Sequence, residues 1–113
     1  MKIEGISITP DRPKLGETLK ITVRLHNDSS EPAYAMVNAT LDRQAPSSPT
    51  SVQQARVRLE ANESKDVLLF KMVVNERSKP GQYKVSAWLA GKRNDARKGE
   101  FEIEETEGFK KTF

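Results

Sequence analysis

Residues Lys79-Pro80-Gly81-Gln82-Tyr83-Lys84-Val85-Ser86-Ala87-Trp88-Leu89 do most to limit what this chain can become. Pro80 and Gly81 break whatever precedes them and permit unusual backbone angles. Tyr83, Val85, Ala87 and Leu89 then fall on one side of a period-2 pattern. Such a pattern buries one face of a strand, and its neighbours must answer it in the same period. The second such segment, Thr18 to His26, sets Leu19, Ile21, Val23 and Leu25 against Lys20, Thr22, Arg24 and His26. No stretch of ten or more residues carries a convincing helical period, so no long helix is expected.

Five further segments complete an all-β reading. Ile3 to Thr9 alternates through Ile6 and Ile8, and Ala33 to Asp42 places Ala35, Val37, Ala39 and Leu41 together. Val52 to Glu60 carries Ala55, Val57 and Leu59. Lys65 to Val74 is apolar on both faces, with Leu68, Phe70, Met72 and Val74 on one and Val67, Leu69 and Val73 on the other, which predicts a central or covered strand. Gly99 to Glu105 closes the set with Phe101 and Ile103. Seven short strands at this spacing predict an immunoglobulin-like antiparallel β-sandwich over residues 1–105, followed by a frayed tail over 106–113. The expected core is Leu19, Ile21, Val23, Leu25, Val37, Leu41, Val57, Leu59, Phe70, Met72, Tyr83, Val85, Ala87, Leu89, Phe101 and Ile103.

Composition supports a thin two-layer core. Charged residues make up 31% of the 113 and hydrophobic ones 35%, so apolar side chains must be placed economically. One domain of ordinary size is expected. The chain has no cysteine, which excludes disulfides and thiolate metal sites without fixing the compartment. No apolar run approaches the roughly 20 residues of a membrane helix, and Met1-Lys2-Ile3-Glu4-Gly5 does not read as a signal peptide. The 19 basic and 16 acidic residues are mixed along the chain, which argues against a dedicated nucleic-acid surface.

Chemistry-bearing residues are sparse. His26 is the single histidine and reads as a solvated strand residue without partners for a metal site or triad. Glu100, Glu102, Glu104, Glu105 and Glu107 have the spacing of an outward strand face rather than of a calcium loop. The chain therefore reads as a non-enzyme with no metal and no cofactor. Three Asn-x-Ser/Thr triplets, beginning at Asn27, Asn38 and Asn62, are candidate glycosylation acceptors if the protein is exported.

Candidate partner contacts are of two kinds. Trp88 must point away from the core if its neighbours point inward, and Tyr34 and Met36 on the outward phase of the third segment could stand beside it as an aromatic patch. Phe109 or Phe113 of the tail is an alternative cover for that patch. Lys92, Arg93, Arg97 and Lys98 bracket Asn94-Asp95 as a basic hairpin tip. Tyr83 is expected to face inward and to bond its hydroxyl near the preceding turn, in the manner of a tyrosine corner.

The succession Ile6-x-Ile8-x-Pro10, Leu15-Gly16-Glu17-x-Leu19-x-Ile21-x-Val23-x-Leu25-x-Asn27, Leu59-x-x-Asn62-Glu63 and Pro80-Gly81-x-Tyr83-x-Val85 resembles the CARDB family and related immunoglobulin-like modules of bacterial and archaeal surface proteins. The resemblance implies a seven-stranded sandwich serving as an adhesive, spacer or partner-binding unit for a protein or a glycan, at the cell surface or outside it. A weaker likeness is to the intracellular proteinase inhibitors of bacilli. It implies a free-standing cytoplasmic regulator, if Met1 is the native start, whose Pro/Ser-rich loop from Arg43 to Ser51 would enter a protease cleft.

Overall fold

The computed structural model describes residues 1–44, 50–75 and 78–104. They form seven strands: β1 (Lys2–Thr9), β2 (Thr18–His26), β3 (Ala33–Arg43), β4 (Thr50–Leu59), β5 (Ser64–Val73), β6 (Gly81–Leu89) and β7 (Arg97–Ile103). Two antiparallel sheets face each other, one ordered β1-β2-β5 and the other β4-β3-β6-β7. The chain is thus an all-β, immunoglobulin-like sandwich. β4 has joined the sheet of β3 and β6. Every connection reverses direction, so β1 begins at one pole of the sandwich and β7 ends at the opposite one.

Alternation places the core. Leu19, Ile21, Val23 and Leu25 of β2 are buried against Ala35, Val37, Ala39 and Leu41 of β3 and against Val85, Ala87 and Leu89 of β6. Phe101 and Ile103 close the far side. The small alanines of β3 and β6 let the sheets approach closely. Gly99 does the same on β7: a Cβ there would lie 2.8 Å from Cδ1 of Ile8, because β1 lies across it.

β5 departs from its sequence reading. It is an edge of the three-stranded sheet rather than a central strand, and it carries a bulge where Ile21 pairs with Phe70 and Thr22 with Leu68. A bulge adds one residue and inverts the phase. Val67 and Leu69 are therefore buried before it, Val74 after it, and Phe70 and Met72 are partly covered, while Leu68 and Val73 stand about half exposed at 48% and 54%. What reads as a strand apolar on both faces is one face interrupted by a register shift. A second bulge, between Ile3 and Gly5, likewise turns Ile3 as well as Ile6 and Ile8 toward the core.

The expected basic hairpin is also different. Residues Arg93–Asp95 form a short 3-10 turn, and β7 starts at Arg97, two residues earlier than expected. The Arg43–Ser51 loop is shortened from both sides, since Arg43 ends β3 and Thr50 begins β4. Residues 45–49 and the tail lie outside the described residues.

Candidate functional site

The outer face of the four-stranded sheet collects the predicted contact residues. Trp88 projects outward from β6 directly opposite Asn38 of β3. Met36 is its diagonal neighbour. Tyr34 stands four residues along β3 from Asn38, about 13 Å away, so it does not touch Trp88. Tyr34 is 61% exposed, with the Arg56 guanidinium 4.4 Å from its ring centre. The Arg93 guanidinium lies 4.7 Å from the Trp88 ring. Each ring thus has a cation over it, an arrangement favourable by about 0.5–1 kcal/mol where solvent-exposed. Among the described residues the Arg93 guanidinium lies over Trp88; the alternative cover by Phe109 or Phe113 lies outside them.

The four basic residues of the expected tip separate. Arg93 and Lys98 take the outer face, Lys98 opposite Ser86. Arg97 pairs with buried Ala87, which puts it on the inner phase. With Lys92, Met1, Ile3 and Leu89 it lines an open cleft at that pole of the sandwich. Lys92 Nζ donates to the Met1 carbonyl at 3.4 Å. The four therefore do not gather into a single basic tip.

The outer face is electrostatically divided. Its upper half holds Arg56, Arg58, Arg93 and Lys98, with Glu60 paired to Arg58. Lower down, Lys84 faces Glu100 at 4.0 Å, Glu102 accepts from Gln82 at 2.7 Å and Arg12 reaches Glu104 at 3.4 Å. The carboxylates of β7 are spread along an outward face, each with a partner. Among the described residues no group of three or more His, Asp or Glu converges as a metal site.

Three residues depart from their sequence reading or go beyond it. His26 is partly shielded: Ser64 Oγ donates to the Glu4 carboxylate at 3.1 Å, leaving its oxygen to accept from His26 Nδ1 at 2.8 Å. Asn27 is fully buried. Its Nδ2 donates to the carbonyls of Glu31 at 2.8 Å and Glu60 at 3.1 Å, and its Oδ1 accepts from the Ser29 amide at 3.1 Å. That side chain ties the β2–β3 turn to the β4–β5 turn and is no glycan acceptor in the folded protein. Tyr83 stacks on Phe101, with ring centres 4.9 Å apart and planes nearly parallel at 4°. Its hydroxyl donates to the Lys79 carbonyl at 2.6 Å, and partial burial holds the phenol above its usual pKa, with the Arg43 charge opposing.

Neither a protein-family model nor a curated protein matches the chain. Solved structures do. An alkylpurine DNA glycosylase, AlkC of Pseudomonas fluorescens, bound to DNA with an abasic-site analogue, aligns over 92% of this chain and 30% of its own, at TM-score 0.68 and 18% identity. The β-glucosidase EmGH1 of Erythrobacter marinus aligns over 90% of this chain and 15% of its own, at TM-score 0.71 and 14% identity. A β-glucosidase of Listeria innocua in complex with glucose gives 0.65 and 21%, covering 92% and 16%. At these identities the likeness shows the fold. The chain spans less than a third of each of these longer proteins.

Proposed function

We propose that the chain is a non-catalytic binding module, of the adhesive or spacer kind, working within a larger surface or secreted assembly. The observation that carries this reading is the outer sheet face, where Tyr34, Met36 and Trp88 are set among Arg56 and Arg93. Aromatic area, exposed at Tyr34 and partly covered at Trp88, with adjoining guanidinium groups is the make-up of contact surfaces rather than of ordinary solvated faces. The partner it suits offers apolar area together with acidic groups, as a protein surface or an acidic glycan does. Occurrence of the same fold as a minor part of longer enzymes agrees with an accessory role, as does the CARDB resemblance.

Trp88 supplies the readout. Its fluorescence should change on titration with a bound partner, screened from acidic oligosaccharides and from candidate surface proteins. Tyr34→Ala and Trp88→Ala should each weaken that binding by about tenfold or more, the loss seen for central aromatic contacts, read by titration calorimetry because Trp88→Ala removes the one tryptophan. A partner that binds the double variant as tightly as the parent would show that this face is not the contact.

A further inference from the structure

β4 is the strand edge of the described sandwich with the least protection: Arg56, Arg58 and the Lys65 ammonium on the Arg58 carbonyl guard only its second half. β1 and β5 each carry a bulge, and β5 adds Lys65, Asp66 and Lys71. β7 is charged at Arg97, Lys98, Glu100 and Glu102, and β1 lies across it at Gly99. Bulges and charges of this kind are how sheet edges avoid pairing with other chains. β4 has none over its first half. It runs ten residues in unbroken register with β3, from Asp42↔Thr50 to Ala33↔Leu59, and Thr50 to Ala55 hold no charge, proline or glycine. Val52 is 70% exposed.

The direction of its free backbone groups follows from its neighbours. The Met36 carbonyl accepts from the Ala90 amide, on the β6 side of β3. Successive residues of an antiparallel strand bond to opposite sides, so Ala35, Val37 and Ala39 bond toward β4. The residues opposite Met36 and Asn38, which are Arg56 and Gln54, then direct their N–H and C=O groups away from β3. Lys65 confirms the phase, since its Nζ reaches the outward Arg58 carbonyl at 3.1 Å. Val52, Gln54 and Arg56 thus present a ladder of donors and acceptors to the free edge.

We infer that this edge pairs with β4 of a second copy of the chain, antiparallel about a two-fold axis, with Gln54 opposite its own equivalent. A second copy is the occupant that the charges select. In this register the neutral Val52 of each copy meets the stem of Arg56 of the other, and the pairing stops short of Arg58, whose outward carbonyl already accepts from Lys65 Nζ. The two Arg56 side chains are held four residues apart along the strands, about 13 Å, beyond the roughly 8 Å screening length at physiological salt. The same two-fold makes the interface self-complementary. It joins two four-stranded sheets into one of eight strands and sets both outer faces side by side.

Sedimentation velocity of the full chain, from micromolar to millimolar concentration, tests this. The parent should shift from monomer toward dimer as concentration rises. Gln54→Lys and Gln54→Glu each place like charges opposite one another and should remain monomeric, with unchanged far-UV circular dichroism. An equimolar mixture of the two should recover the dimer. A parent that stays monomeric throughout, single variants that dimerise as the parent does, or a mixture that fails to recover association would each overturn the pairing. The outcome is independent of ligand binding by the Tyr34–Trp88 face.

Discussion

Asn27 and Tyr83 show how much a single polar group can contribute to a thin core. Asn27 spends both ends of its amide on the backbone of neighbouring turns. Asn27→Ala leaves partly buried carbonyls without donors and should cost about 1–3 kcal/mol, the range for orphaned polar groups, read as a lowered urea midpoint. Tyr83→Phe removes one hydroxyl bond, and about 1 kcal/mol is expected. Its pH dependence has a definite sign. Because the folded-state pKa is raised above the usual 10.0, the phenol's contribution is fully present below pH 10 and is lost as pH climbs toward the folded value. Urea unfolding across alkaline pH should show that decline in the parent, and a smaller one in Tyr83→Phe.

Among the elements, β2 was legible almost to the residue and β5 was not. β2 alternates without interruption because it is the centre of its sheet, and its period survives into the structure unchanged. In β5 the bulge inverts the phase midway, and a period-2 reading converts such an inversion into two apolar faces. Edge position was equally hidden, since which strands flank β5 depends on contacts far along the chain. The outward phase of Trp88, Tyr34 and Met36 followed from alternation alone. That Arg56 and Arg93 sit over two of them did not, because one comes from the neighbouring strand and the other from a turn. Gly99 gives an element-scale prediction. Gly99→Val puts a branched side chain where β1 crosses β7, and overpacking of this kind costs about 1–3 kcal/mol. Gly99→Ala should cost less, because the nearest atom is the movable end of Ile8. Thermal melts of the two variants would show that order.

For the whole molecule, one core spans both sheets. Val85 and Phe101 belong to the cluster around Leu19 and Ile21, while Leu59 and Leu69 belong to the cluster around Val23 and Leu25. Partly buried Ile6 and Phe70 pack against both, so the halves are joined through apolar contact. Phe101→Ala should cost about 3–5 kcal/mol and Leu59→Ala about 2–5. Both should unfold the protein in one transition, with tryptophan fluorescence and circular dichroism coinciding. Non-coincident transitions would show that the two clusters melt separately.

The placement of β1 and β7 at opposite poles has a mechanical meaning. A pull applied between Lys2 and Ile103 runs along the strands, and the ladder bonds lie across them. Tension therefore loads the whole β1–β2 and β6–β7 ladders at once, in shear, instead of peeling them open one bond at a time. With Ile8 packed across Gly99, β1 and β7 are coupled through the core, so the two ladders should resist such a pull together.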